Sequence, residues 1–211
     1  LIKAYDTDLV LSSTRFMETT QGFFQEQGIP ACYLNITLYS DTRRNIEMLG
    51  AAFGKTEAME ALLADLDARE QAVLEKAKGH EGQTVAILFG TGKSYLFNTP
   101  DSYIGEMIGM LGLQNILESS PDAPSSVAFS TEQLVLLDPD IIVRYAHGGD
   151  WGEINERFES MFTENAAFAN LKAFQSGKVY NLDEELFTAN PGTRSIEALE
   201  VLAATLFGEE P

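Results

Sequence analysis

The sequence has few of the residues on which many catalytic and metal sites depend. It contains one cysteine, Cys32, and two histidines, His80 and His147, in 211 residues. A single cysteine excludes an intrachain disulfide, and its apolar surroundings favour a buried, unreactive thiol. Neither histidine belongs to a His-Glu-x-x-His zinc pair, and no serine lies in a Gly-x-Ser-x-Gly motif. The sequence therefore predicts a protein that is not an enzyme.

Long apolar runs and positive charge are also scarce. No apolar run reaches the length of about 18 residues that a membrane-spanning helix needs. The first residues, Leu1–Tyr5, lack the basic and apolar regions of a signal peptide, so none is predicted within this sequence. The 32 acidic and 14 basic residues give a net charge of −18. Such a surface repels phosphate groups, which argues against binding to nucleic acid or to an anionic membrane.

The first elements alternate between strand and helix. Asp8–Ser12 reads as a short strand, and Arg15–Gln27 has helical spacing and ends at Gly28, a residue suited to a helix C-terminus. Ala31–Leu34 reads as a second strand. This order predicts parallel pairing in an α/β layer.

A long segment, Asp41–Lys78, follows without proline or a cluster of turn residues. Its apolar side chains recur mostly at helical spacing, and Gly50 and Gly54 are the points at which a helix can bend. A continuous helix of this length would span about 55 Å, more than one small domain requires. The segment is therefore predicted to be a helix that bridges two lobes.

The α/β pattern then restarts and looks complete. The predicted strands and helices are 84–89, 95–98, 102–111, 132–137, 141–145, 151–162, 179–182 and 194–207, with a loop at 121–126. The predicted division is a partial N-terminal lobe (1–40), the inter-lobe helix (41–79), a C-terminal lobe (80–190) and a C-terminal helix (191–211). Because the first lobe has only two strands, we expect a further part of it to precede Leu1.

The run Gly90–Ser94 follows a strand and invites comparison with nucleotide-binding loops. A Walker A loop would need glycine at Ile87, and a dinucleotide fingerprint would need glycine at Tyr95. Both motifs also require a following helix, whereas Tyr95–Asn98 reads as a strand. A nucleotide-binding enzyme built on this loop is kept only as an alternative. The acidic pair Glu184 and Glu185 is more typical of a solvated surface than of acid–base catalysis.

Several segments together resemble the class III periplasmic-binding-protein family, which serves importers of iron-siderophores, haem and cobalamin. The segments that carry the resemblance are Asp8–Val10, Met48–Lys55, Ser102–Glu106, Leu111–Ile116, Ser130–Leu134 with Pro139–Ile142, and Asn170–Phe174 with Gly177–Tyr180. The resemblance implies two Rossmann-like lobes joined by one long helix, with the ligand between them where loops at the strand ends converge. It also implies an extracytoplasmic protein, periplasmic or lipid-anchored at the cell surface, that delivers its cargo to an ABC-importer permease.

A narrower resemblance is to the haem-receptor lipoproteins of Gram-positive iron-regulated surface determinant systems. It rests on Lys93–Leu96, Ile141–Gly148 and Val179–Glu185. In those proteins a histidine of an Arg-x-x-His-Gly motif is an axial ligand of the haem iron, and this position falls on His147. The second ligand would be a methionine before Leu1, since Met17 does not align with it. A ferric siderophore or a corrinoid such as cobalamin remains the alternative ligand.

Without the resemblance, the sequence around His147 is less specific. His147 follows an apolar strand, and a histidine in such a loop more often has no ligand role. Further cleft candidates are cations for the haem propionates and flat rings for its faces. The cations are Lys93 and Arg194, and the rings are Tyr33, Tyr145, Phe187, Tyr95 and Trp151.

Glu132 lies in the sequence Ser-Thr-Glu-Gln-Leu at the predicted start of a helix. The resemblance implies that such a glutamate docks on arginines of the permease. A glutamate in the first turn is also favoured simply by the helix dipole, so the position alone has a second explanation.

Overall fold

The computed structural model describes residues 5–91, 94–120, 124–147, 151–188 and 191–208, with the backbone alone at Trp151 and Asn155. The strands are β1 (Val10–Ser13), β2 (Ala31–Leu34), β3 (Thr84–Thr91), β4 (Tyr95–Asn98), β5 (Gln114–Asn115), β6 (Ser126–Ala128), β7 (Ile141–His147) and β8 (Val179–Asn181). The helices are α1 (Met17–Glu26), α2 (Ser40–Ala52), α3 (Thr56–Ala77), α4 (Tyr103–Met110), α5 (Thr131–Leu137), α6 (Trp151–Glu164), α7 (Lys172–Gln175), α8 (Glu184–Phe187) and α9 (Ser195–Phe207). None of these helices is long and apolar enough to cross a bilayer.

The first unit is a two-stranded parallel sheet with α1 as its crossover. β1 and β2 pair in parallel, with Val10 opposite Ala31, as the strand–helix–strand pattern predicted. Gly28, just beyond α1, has φ = +66°, a backbone conformation that glycine adopts without steric cost. Phe24 of α1 is buried, and its neighbour Phe23 is half exposed.

The segment predicted as one long helix is divided into α2 and α3. Gly54 has φ = +61°, which ends α2, and the Lys55 backbone N–H donates to the carbonyl of Gly50 at 2.8 Å. The two helices then pack closely, because a Cβ atom on Gly50 would lie only 2.6 Å from the Cβ of Met59. The helical period was therefore predicted well, and the helix is interrupted at Gly54, one of the two glycines at which bending was expected.

Among the described residues, the second sheet has six strands: β6-β4-β3-β7-β8 in that order, with β5 also paired to β3. β3, β5, β7 and β8 are parallel to one another, whereas β4 pairs antiparallel with both β3 and β6. The sequence predicted neither β5 nor β6. These strands have two and three residues, too few for an alternation of apolar and polar positions to show.

Helices cover both faces of this sheet. On β7, Val143 and Tyr145 face a core shared with α3, α4, α8 and α9. Ile142 and Ala146 face a second core that includes residues of α5 and α6. Since successive side chains of a strand point to opposite faces, this burial on both sides produces the unbroken apolar run of β7.

Candidate functional site

The candidate site lies at the carboxyl edge of the second sheet. β3 and β7 end side by side there, with Thr91 paired to His147. The neighbouring strand β8 ends at Asn181 on the same edge. In open α/β sheets, ligands bind at this edge, where the loops after parallel strands converge. Both histidines are within the described ranges, and of the two only His147 lies at this edge. His80 precedes β3 and stacks on Phe207 of α9 at a ring distance of 4.3 Å.

His147 is the last residue of β7 and is accessible from solvent. The strand alternation places it on the same face as the buried Tyr145, but its own side chain is 63% exposed. Its Nδ1 atom lies 3.4 Å from Oε1 of Glu184 in α8. Within the described ranges, no group of three or more His, Cys, Asp and Glu side chains is placed to hold a bare metal ion.

Sheet register explains why Glu184 is beside His147. Ile142 pairs with Val179 and Arg144 with Asn181, so each paired residue of β7 lies beside the residue 37 positions later in the chain. α8 begins at Glu184, three residues after β8 ends at Asn181 on this edge, and this brings Glu184 close to His147. This contact was not predicted from the sequence, in which Glu184 and its neighbour were interpreted only as a solvated pair.

Phe187 and Tyr145, which were predicted to line the ligand site, are core residues in the structure. Phe187 is 1% exposed and anchors α8 against the sheet. Tyr145 is 5% exposed, stacks on Phe89 at 4.8 Å and accepts a hydrogen bond from Asn98 Nδ2 at 2.8 Å. Burial raises the pKa of the Tyr145 hydroxyl, which therefore stays protonated. Both rings therefore belong to the core among the described residues.

Arg194 is paired with two carboxylates. Its guanidinium donates from Nε to Glu197 at 2.8 Å and from Nη1 to Glu185 at 2.5 Å. These hydrogen bonds, first with Glu197 and then with Glu185, raise the pKa of Arg194 above its ordinary value. In this arrangement Arg194 joins α8 to α9.

The remaining side chains that were predicted to line the site lie in different parts of the chain. Tyr33 lies in β2, half-buried, and its hydroxyl is 3.0 Å from the hydroxyl of Thr20 in α1. Tyr95 packs against Phe129 and Phe158 in the core of the second sheet. Lys93 and the side chain of Trp151 lie outside the described residues.

Glu132 is exposed in the first turn of α5. The hydroxyl of Ser130, which caps the helix by accepting from the backbone N–H of Gln133 at 3.2 Å, lies 3.1 Å from Oε2 of Glu132. Hydrogen bonds from its own backbone N–H and from Ser130 hold the pKa of Glu132 below its ordinary value. The carboxylate is therefore charged and available on the surface.

Comparisons with known proteins agree with this architecture. A sequence model of the family described as periplasmic binding protein matches residues 4–186. The chain belongs to this periplasmic binding protein family. The family resemblance and the α/β fold class inferred from the sequence are thereby confirmed.

Two similar proteins are named for haem uptake. The high-affinity heme uptake system protein IsdE of Staphylococcus aureus, strain MRSA252, is 29% identical over 184 residues, which are 86% of this chain and 62% of the relative. The same protein from strain Newman matches equally. The chain thus spans about three fifths of the length of these curated relatives.

Solved structures match over almost all of the chain. An ABC transporter substrate-binding protein from Listeria monocytogenes EGD-e has a TM-score of 0.86 and 29% identity, covering 98% of this chain and 79% of that one. Staphylococcus aureus IsdE complexed with heme has a TM-score of 0.83 and 26% identity over the same shares. The fold of the described residues is therefore that of a substrate-binding protein.

Proposed function

We propose that this chain is the ligand-binding part of an extracytoplasmic substrate-binding protein, which carries haem to an ABC-importer permease and catalyses no reaction. The placement of His147, exposed at the carboxyl edge of the sheet, carries this proposal. Relatives named for haem uptake, and the similarity to a structure solved with haem, support haem over other cargoes. Imidazole is a common axial ligand of haem iron.

Other parts of the predicted haem site receive less support. Tyr145 and Phe187 are buried in the core, and Arg194 is paired with two carboxylates. The proposal therefore assigns one contact with the iron, through His147, and leaves the contacts with the propionates unassigned.

A haemin titration followed by absorbance tests the proposal. Haemin should give a saturable, sharpened Soret band with the protein, and His147→Ala should abolish it or weaken binding at least about tenfold, because the iron loses an axial ligand. The matched control is His80→Ala, which removes the other histidine, stacked on Phe207 away from the carboxyl edge. This control should bind haemin like the unmodified protein.

Equal haemin binding by the unmodified protein and His147→Ala would remove His147 from the site. If haemin did not bind at all while cyanocobalamin or a ferric siderophore did, the cargo would be a corrinoid or a siderophore instead. Nucleotide-dependent thermal stabilisation would point to the remaining alternative, a nucleotide-binding enzyme.

We further propose that Glu132 docks on a basic surface of the permease. Its carboxylate is exposed and held in the charged form, so it can pair with arginine. In vesicles that contain the importer, Glu132→Ala should slow haem uptake while leaving haemin binding unchanged. Glu57→Ala is the matched control, since Glu57 is also an exposed glutamate in the first turn of a helix. Uptake slowed equally by both variants would refute a specific role for Glu132.

A further inference from the structure

His147 and Glu184 are neighbouring, partly exposed side chains at the carboxyl edge of the second sheet. The two side chains are 63% and 49% exposed, and His147 Nδ1 lies 3.4 Å from Glu184 Oε1. That distance is slightly longer than an ordinary N–H···O hydrogen bond of about 2.7–3.2 Å. The two groups are nevertheless close enough to interact electrostatically.

The backbone that carries Glu184 is firmly held. The backbone N–H of Leu182 donates to the carbonyl of Arg144 at 2.7 Å, which extends the pairing of β8 with β7. Asp183 caps α8 by accepting from the backbone N–H of Glu185 at 2.7 Å. Phe187, at the other end of α8, is buried in the core. The position of Glu184 beside His147 thus follows from the sheet register and from the anchoring of α8.

We infer that Glu184 is a positioning residue for His147: its carboxylate accepts the Nδ1–H of the imidazole and leaves the lone pair on Nε2 for the ligand. This inference rests on the proposed function, in which His147 binds the haem iron. Histidines that bind metals commonly donate their other ring N–H to a carboxylate, which fixes the tautomer and the ring orientation and makes the ligand more basic.

The adjacent carboxylate has a different partner and serves as a matched control. Glu185 accepts from Arg194 in a contact that joins α8 to α9. Glu184→Gln and Glu185→Gln each remove one negative charge from the first turn of the same short helix. Any effect of general charge or of α8 stability should appear in both variants, whereas an effect transmitted through His147 should appear in Glu184→Gln alone.

The first test uses the ligand-free protein. Two-bond ¹⁵N–¹H correlation spectra at about pH 8, where an ordinary histidine is neutral, report which ring nitrogen of His147 carries the proton. The unmodified protein and Glu185→Ala should show the Nδ1–H tautomer, and Glu184→Ala should shift His147 towards Nε2–H. An unchanged tautomer in Glu184→Ala would overturn the inference, whatever the protein binds.

The second test uses the haem-loaded protein. Glu184→Gln should weaken haemin binding by about 10- to 100-fold, the usual effect of removing such a carboxylate partner. It should also raise the reduction potential of the iron, because a less basic imidazole stabilises the ferric state less. Glu185→Gln should change neither quantity.

The two proposals fail in distinguishable ways. If His147→Ala weakens haemin binding but Glu184→Gln matches the unmodified protein in affinity and reduction potential, the inference is wrong and the function stands. If haemin does not bind or binds without His147, the proposed function fails, and any role of Glu184 towards haem fails with it.

Discussion

The two parallel-sheet regions of this chain show similar local patterns but different burial. In the first, β1–α1–β2, the apolar side chain of Leu11 is 45% exposed and that of Phe16 is 53% exposed. In the second, the central residues of β3, Val85 to Leu88, are all 0% exposed. Both regions were recognised from alternating strands and helices, and among the described residues the second is the more deeply buried.

The difference lies in what covers each strand. β3 and β7 have neighbouring strands on both sides and helices on both faces. Among the described residues, β1 pairs only with β2. Because the free energy of burial follows the apolar area removed from water, the same kind of side chain should stabilise the second region far more than the first.

Leucine-to-alanine substitutions should show the largest contrast. Leu88→Ala, in the centre of β3, should lower the free energy of unfolding by about 3–5 kcal/mol through lost burial and the cavity left behind. Leu11→Ala, in β1, should cost less than about 1 kcal/mol, because its side chain is already half exposed. Urea denaturation measures both values, and similar losses at the two positions would contradict the contrast.

Glycine-to-alanine substitutions within helices should give effects of opposite sign. A Cβ atom on Gly105 of α4 would lie 2.0 Å from the carbonyl oxygen of Thr99, so Gly105→Ala should destabilise the protein by about 2–3 kcal/mol. A Cβ atom on Gly22 of α1 would meet no neighbouring atom within 4 Å, and Gly22→Ala should stabilise by about 0.5–1 kcal/mol. Thermal unfolding followed by circular dichroism would compare them, and a stabilising Gly105→Ala would show that α4 is less tightly packed than the structure indicates.

A contact at the amino edge of the second sheet should make a smaller, pH-dependent contribution to the free energy of unfolding. Asp140 Oδ2 accepts from the backbone N–H of Thr84 at 2.9 Å and from its hydroxyl at 3.0 Å, which ties β7 to β3. These bonds, the backbone N–H first, hold the pKa of Asp140 below its ordinary value. Asp140→Asn should therefore cost about 1 kcal/mol at neutral pH.

The contribution of Asp140 to the free energy of unfolding should decrease as the pH falls. A depressed carboxyl pKa stabilises the folded state above the unfolded pKa of about 3.9, and the contribution is lost as the pH falls through the lower folded value. Urea denaturation at about pH 7 and about pH 3 should show the unmodified protein and Asp140→Asn converging at the acidic pH. If the two proteins differed equally in their free energy of unfolding at both pH values, the hydrogen bonds between Asp140 and Thr84 would not depend on the charge of Asp140.

The sequence predicted much of the fold where a strand or helix carries its own signal. The bounds of β2 and β4 were predicted to the residue, because each is a short apolar or aromatic run between turn residues. The division of the 41–78 segment at Gly54 was recognised only as a point of bending. Helix α8, with four residues, has no period long enough to be read from the chain.

The sequence predicted only those features of the candidate site that local motifs indicate. A motif placed His147 after a strand, and the structure places it at the end of β7. Tyr145 and Phe187 were expected beside the ligand, but among the described residues both are buried in the core that α4 and α9 also form. Glu184 was overlooked because its relation to His147 appears only once β7 and β8 are paired in register.

By itself, the sequence determined most of the strands and helices and, through its resemblance, the family, because these follow from local periodicity and from motifs contiguous in the chain. Only the tertiary structure decided which rings are buried, where α2 gives way to α3, and that the carboxylate of Glu184 lies beside His147. Those features depend on pairing and packing between segments distant in the chain, and no local pattern of residues specifies such contacts.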